Sequence, residues 1–404
     1  MPSLAASLRG VYRAYPRPFW VLWVGTLINR LGEFVVPLLG FYLASERGLG
    51  ITQVSVVLSV LGVGRFGAEA FGGRLSDRLG PTATMILALG GGAVMLVALA
   101  FASSFGAVVL GVLAFSLLTG MYKPAASSAV AALTTGAQRT RAYNLLYWAI
   151  NVGVSVAPAL GGWLSGSSFR LLFFLDAATM AAYAALLAVL GARGGGASPR
   201  RADAPRTAWL PRDRLLWSFC LASLLFALTY QSYKLLALVF AEQGFTAAQY
   251  GQVLSVNGLL VVGLGLPLGH AISQGNHPRW QAVGAALLGL GFLGHAFAHT
   301  LAAHVLAVAV WTLGEIVSYS IGKSIVAELG RPEVRGTYIG LVGSMTGLGA
   351  LLSPLLGGFL LARFGNAALW SVVAGLAFLA ALLYLRLEGA VVTRRTLHGA
   401  QPAD

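Results

Sequence analysis

Residues 132–164 read ALTTGAQRTRAYNLLYWAINVGVSVAPALGGWL, and the pattern returns without gaps at 328–360 as ELGRPEVRGTYIGLVGSMTGLGALLSPLLGGFL, an offset of 196. Nine of the 33 positions are identical, including Arg139 with Arg335, Gly153 with Gly349, Pro158 with Pro354, and Gly161 and Gly162 with Gly357 and Gly358. Apolar segments share Leu and Gly by chance, so the Arg, the Pro and the paired Gly in register carry the weight. The chain reads as a duplication.

Outward from the repeat, apolar runs fill the sequence. They lie near 19–44, 53–72, 82–102, 105–133, 142–165 and 169–191, then near 215–241, 247–273, 281–299, 301–327, 337–362 and 366–386. Each is long enough to cross a bilayer as a helix. The only long polar stretch, with Gly194–Gly196, Pro199, Arg200, Arg201, Pro205 and Arg206, falls between the sixth and seventh runs and reads as a linker. The expected fold is an all-α membrane protein with 12 transmembrane helices in two pseudo-symmetric six-helix bundles. Residues 1–192 form the first, 193–214 the cytoplasmic linker, and 215–404 the second with a short cytoplasmic tail.

Composition agrees. Of 404 residues 57% are hydrophobic and only 10% charged, with a mean hydropathy of +0.78, whereas soluble domains carry about 25% charged residues. The net charge of +14 raises the question of nucleic acid, and placement answers it. With the amino terminus inside, 19 of 27 Lys and Arg fall in predicted cytoplasmic segments, three outside (Arg47, Arg170, Arg363) and five within spans. That bias is the positive-inside rule, and it explains the basicity without a nucleic-acid partner. Arg9, Arg13 and Arg17 precede the first run, which is too long for a cleaved leader and reads as a retained helix. Cys220 is the only cysteine, so disulfides and thiolate clusters are excluded within the chain.

A charge in the middle of a membrane helix costs about 2.5–3.5 kcal/mol on insertion scales, so each one needs a reason. Arg30, Arg65, Lys123, Lys234 and Lys323 are the basic residues inside spans; Glu33, Glu69, Glu315 and Asp176 are the acidic ones. All three lysines of the protein belong to this set. Most of these charges sit on the first and fourth spans of each half, so equivalent halves would bring them around one polar cavity at the midplane. Arg30 with Glu33, and Arg65 with Glu69, have the spacing of intrahelical ion pairs, and Asp176 reads as structural near the end of span 6. A proton carrier must be desolvated, and a neighbouring cation opposes its protonation. Glu315 has no cation nearer in sequence than Lys323 and ranks first; Glu33, one turn from Arg30, ranks second. Asn29, Tyr122, Tyr147, Trp148, Asn151, Tyr230, Gln231, Asn257 and Tyr319 lie near these charges and could complete a cavity for amphipathic organic molecules.

Other patterns carry less. Gly62, Gly64 and Gly67 form a lone GxGxxG inside span 2, without the strand that dinucleotide binding needs; they and the Gly of span 11 read as close helix packing. His295, His299 and His304 have loose metal-ligand spacing but no nearby carboxylate, so neither metal nor cofactor is expected. Nothing resembles a catalytic Ser, His and Asp grouping, and an enzyme is not expected.

Gly73-Arg74-Leu75-Ser76-Asp77-Arg78-Leu79-Gly80, between spans 2 and 3, resembles the signature loop of the major facilitator superfamily. The resemblance implies that Gly73, Asp77, Arg78 and Gly80 form a conformational latch, with Asp77 at the amino end of span 11. Pro81 and Thr82 stand where that family usually has further basic residues. Gly153, Ala157, Pro158, Gly161 and Gly162 on span 5 resemble the signature of drug:proton antiporters, with Ala157 replacing a Gly. Gly314-Glu315-Ile316-Val317 is similar to antiporters in which that Glu takes part in proton coupling. Gly120-Met121-Tyr122-Lys123-Pro124 is instead similar to proton-coupled oligopeptide transporters, whose Lys on that helix helps bind a peptide carboxylate. The sequence of span 1, Asn29-Arg30-Leu31-Gly32-Glu33, departs from that second family's pattern.

The resemblances imply a proton-coupled secondary transporter in a bacterial-type inner membrane, exporting drugs or metabolites by antiport. The alternative is a symporter for peptides or other zwitterionic or anionic solutes. Expected partners are a small-molecule substrate, protons and membrane lipid, with the chain a monomer.

Overall fold

The computed structural model describes residue 12 and residues 14–190, 213–273, 276–329 and 335–399. The linker expected at 193–214 lies almost wholly outside them. Every regular element described is helical. Among the described residues, eleven stretches are long and apolar enough to cross a membrane. The last helix, Arg335–Gly399, has 65 residues, about 98 Å at 1.5 Å per residue and about three times a hydrocarbon core. Gly365, at φ 80°, divides it, at the gap between the eleventh and twelfth apolar runs.

Three spans are interrupted, which the apolar runs alone do not reveal. Span 1 consists of Arg17–Leu31 and Val35–Ser45, span 4 of Phe105–Gly120 and Tyr122–Leu133, and span 7 of Arg214–Gln231, a 3-10 turn Ser232–Leu235 and Leu236–Glu242. Arg30 and Glu33, Lys123, and Lys234 fall at these three breaks. Proline supplies part of the cause. Pro37 and Pro124 are each third in the second half-helix, where the missing N–H has no helical partner to lose. In an unbroken helix they would face the carbonyls of Glu33 and Gly120. Span 10, Leu301–Leu329, is continuous.

Several helices outrun their apolar segments. Span 2 extends over Ile51–Leu79 and span 3 begins at Pro81, so the stretch expected to be a loop at 73–80 is helical up to Leu79. The reversal is made by Gly80, with φ 84° and ψ 156°, a conformation that favours glycine. Hydropathy marks where a helix enters lipid, whereas the helix itself runs on until a residue such as Gly80 stops it.

Chain contacts define two compact units. One comprises Met1–Val36, Val63–Ala157 and Ser167–Arg206; the other comprises Pro37–Gly62, Pro158–Gly166 and Thr207–Asp404. In the first, span 3 packs on spans 4 and 6, and span 1 packs on span 6. In the second, span 7 packs on the last long helix, span 9 on that helix and on span 10, and span 8 on span 10. Leu216, Phe219, Cys220, Ala285, Ile325 and Tyr384 form part of its core. Phe101, Leu110, Trp163, Phe297 and Leu306 are exposed, as lipid-facing positions are.

The repeat is visible in the packing. A Cβ on Gly153 would lie 2.6 Å from the carbonyl carbon of Arg30 on span 1, and one on Gly349 would lie 2.8 Å from that of Ala227 on span 7. Within the second unit, Gly162 meets Ala247 of span 8 while Gly358 meets Ser55 of span 2. Spans 5 and 11 thus use the same register positions for close contacts.

Candidate functional site

In the first unit, the break in span 1 opens beside a cavity of about 180 Å³ whose lining includes Asn29, Arg30, Glu33, Arg65, Tyr122, Lys123 and Asp176. Five of these seven are ionisable as cations or carboxylates, and they come from spans 1, 2, 4 and 6. Arg30 donates through Nη1 to Glu33 Oε2, and Arg65 Nη2 approaches Glu33 Oε1 at 3.7 Å. Glu33 therefore sits between two guanidinium groups. The Arg30 Nε–H is buried and has no hydrogen-bond partner among the described residues. Such a donor is costly unless water or a ligand satisfies it.

Tyr122 belongs to a buried hydroxyl triangle. Thr26 Oγ1 lies 2.8 Å from Tyr122 Oη and 3.3 Å from Tyr183 Oη, and the two tyrosine oxygens are 3.3 Å apart. Thr26 and Tyr183 both donate to the Leu22 carbonyl, at 2.7 and 3.1 Å. Their only hydroxyl protons are then committed, so Tyr122 must be the donor within the triangle. Its remaining lone pairs make it an acceptor.

Asp176 is 2% exposed. Its Oδ2 accepts the Val35 N–H at 3.1 Å, at the start of the second half of span 1. Tyr147 and Asn151, also candidates from sequence, are placed elsewhere on span 5: Asn151 Nδ2 donates to the Tyr147 carbonyl at 2.7 Å, and Tyr147 is 60% exposed. Trp148 stacks on Trp23 with centroids 6.2 Å apart.

The second unit holds a polar cluster around Glu315. Tyr230 Oη donates to Glu315 Oε1 at 2.7 Å, and Asn257 Nδ2 donates to Oε2 at 2.6 Å and to Thr312 Oγ1 at 3.0 Å. Spans 7, 8 and 10 therefore meet at one carboxyl group. Gln231 ends the first helix of span 7, and Lys234 lies in the 3-10 turn that follows. Tyr319 and Lys323 are on the helix of span 10, with side chains outside the described residues, as is that of Glu69. Asp77 and Arg78 are exposed on the last turn of span 2; Gly161 and Gly162 are buried near the end of span 5, and Pro158 lies within its helix.

His295 and His304 face one another with Nδ1 atoms 2.9 Å apart, and His304 Nε2 lies 2.9 Å from Gln243 Oε1. Gln243 Nε2 donates to the Ala298 carbonyl, so the amide oxygen is the acceptor for His304. No group of three or more His, Cys, Asp or Glu able to hold a metal occurs among the described residues.

The sequence profile of the Major Facilitator Superfamily matches residues 22–338 and, in a second overlapping match, 235–402. The chain belongs to the Major Facilitator Superfamily. This is a transport family, so the protein is a multi-pass membrane carrier and not an enzyme. The MFS-type transporter YqjV of Bacillus subtilis (strain 168) is 22% identical over 373 residues, covering 89% of this chain and 91% of that one. The multidrug resistance protein MdtH of Aeromonas hydrophila is 24% identical, covering 81% and 85%. Among solved structures, the peptide transporter POT in complex with sulfate superposes with a TM-score of 0.80 at 17% identity, covering 94% of this chain and 96% of that one. The nucleoside transporter NupG gives 0.79 at 15%, covering 92% and 100%. These likenesses share the superfamily fold.

Within that fold, no motif in the sequence alone marks Thr26, Tyr183 or Thr312, and spacing alone pairs Arg65 with Glu69 and sets Asp176 near the end of span 6. Thr312 was accessible, three residues before Glu315 on one helix face. The others are joined to the site only across spans.

Proposed function

We propose that this superfamily member is a proton-coupled secondary transporter of small zwitterionic or anionic organic solutes, including peptide-like molecules, working by alternating access. It resides in a cell inner membrane as two six-helix halves with both termini cytoplasmic, and functions as a monomer. The observation that carries this reading is the charge of the cavity in the first unit: Arg30, Arg65 and Lys123 against Glu33 and Asp176. An excess positive charge with an unpartnered Arg30 Nε–H suits a carboxylate, while the acceptor character of Tyr122 suits an amine. Asn29 completes the substrate contacts of this cavity, and Gln231, Lys234, Asn257, Tyr319 and Lys323 are proposed as substrate contacts of the second unit in its own right.

Glu315 is the proton carrier. Tyr230 and Asn257 hold its carboxyl group by hydrogen bonds where spans 7, 8 and 10 meet, and gaining a proton there removes a charge from a half-buried site. Glu33, flanked by two guanidinium groups, serves as the secondary group. A charge crossing 100 mV gains about 2.3 kcal/mol, more than the ~1.4 kcal/mol that a tenfold gradient requires.

A second reading, efflux of amphipathic drugs by antiport, is favoured by the span 5 signature, by the exposed Tyr147 and Trp148 beside it, and by the likeness to the multidrug resistance proteins MdtH. Proteoliposomes under an imposed pH gradient separate the two. Competition by dipeptides, with Glu315→Gln abolishing accumulation, supports the first reading; competition by cationic dyes alone supports the second. No flux of either class would overturn both.

A further inference from the structure

Among the described residues of the first unit, Asp176 is a buried carboxylate that in the proposed transport function contributes only background charge. It lies on the uninterrupted helix Phe169–Leu190, and its carboxylate receives the Val35 N–H at 3.1 Å. Val35 is the first residue of a half-helix, so its amide has no carbonyl one turn back to bond. A few residues earlier, Arg30 and Glu33 make their ion pair. Asp176 therefore fastens the gap in span 1 to span 6, at the point that orients both charges. It also lines the cavity, which gives water and protons a route to it.

The ionisable groups facing it there are Arg30 and Glu33 from span 1, Arg65 from span 2, and Tyr122 and Lys123 from span 4, while span 3 presents Leu89. As an anion, Asp176 accepts the amide strongly and complements the positive end of the half-helix. As a neutral acid it accepts more weakly, and it gains a hydroxyl donor that must find a new acceptor.

We infer that Asp176 is a positioning residue whose charge state sets the geometry of the break in span 1, and with it the placement of Arg30 and Glu33. This rests on the transport reading, but its test needs no substrate. Hydrogen exchange of the amides at 33–36 would be followed in the full-length protein in lipid nanodiscs from pH 5 to 9, corrected for intrinsic chemistry.

The wild type is expected to show protection here that follows a single titration. Asp176→Asn keeps an acceptor but cannot ionise; it should exchange about tenfold faster at the alkaline end and lose the titration. Val35→Pro, tolerated at a helix start, removes the donor and should abolish the titration at Phe34 and Val36 even if Asp176→Asn fails to fold. Unchanged protection and pH dependence in either variant would overturn the assignment, whether or not any flux is found.

Discussion

Gly153 stands so close to span 1 that a Cβ there would lie 2.6 Å from the carbonyl carbon of Arg30 and 2.8 Å from its oxygen. These are backbone atoms and cannot swing aside as a flexible side chain would. Gly153→Ala is therefore expected to destabilise the protein by about 1–3 kcal/mol, the usual cost of overpacking, and to lower transport by displacing Arg30. Gly90, mid-helix in span 3, has nothing within 4 Å of its Cβ position. Gly90→Ala should be neutral or stabilising by up to about 1 kcal/mol through helix propensity. Thermal unfolding of the purified variants checks the pair; equal effects would refute the packing argument.

This contact also shows where sequence stops being informative. The spans could be read because lipid demands about 20 apolar residues per helix, and the repeat because Gly153 and Gly349 kept register. Pro37 and Pro124 held the signal for two of the breaks, although hydropathy runs straight across them. The pairing of Arg65 could not be read. Its approach to Glu33 at 3.7 Å joins spans 1 and 2, which no spacing along one helix encodes. Asp176 shows in the sequence as a charge near one end of span 6, and only the folded chain sets it against the Val35 amide. Tyr230, Asn257 and Glu315 could be named separately, but hydrogen bonds across three spans depend on helix rotation, which composition does not encode.

Arg65 and Lys123 offer a test of the cavity's charge. Arg65 is 43% exposed at its side chain, and Lys123 is exposed, so water reaches both positions and can solvate the groups that either truncation leaves behind. Arg65→Ala and Lys123→Ala should each weaken binding of an anionic solute by about tenfold, the ~1.4 kcal/mol expected for losing one charged contact in a hydrated cleft. Unfolding temperatures should barely move. Scintillation proximity or calorimetric titration at two salt concentrations reads this out, and a salt-independent loss would point to misfolding instead.

Glu315 has two acceptor oxygens and two donors aimed at them, from Tyr230 and Asn257. Glu315→Gln replaces one acceptor with an NH₂ group, so one of those donors then faces a donor. The expected cost is about 1–3 kcal/mol for an unsatisfied buried group, together with loss of the response to an imposed pH gradient. Adding Asn257→Asp restores a donor and acceptor match. The double variant should recover unfolding temperature but not gradient-driven accumulation, because the carboxyl now sits on span 8. Non-additive stabilities in this cycle are the diagnostic.

Asp213, just ahead of span 7, ties three helices together. Its carboxylate caps the helix through the Leu215 and Leu216 amides at 3.0 and 3.4 Å, accepts the Tyr338 hydroxyl at 2.7 Å and pairs with Arg394. Partial burial by itself would raise its pKa, but the hydrogen bonds from Arg394, Tyr338 and Leu216 outweigh that and hold it below the ordinary carboxylate value. A depressed pKa means that the unfolded chain takes up this proton first on acidification. The stabilisation is therefore complete above the unfolded value of about 3.9 and drains away as pH falls through the lower folded value. Asp213→Asn, which keeps the cap but not the charge, should unfold at a lower temperature than wild type at pH 7. Asp213→Ala should lose about 1 kcal/mol more with the cap. The gap between wild type and Asp213→Asn should narrow as the pH is taken below about 4; a gap that stays constant from pH 7 downward would mean that Asp213 contributes through shape and not through its charge.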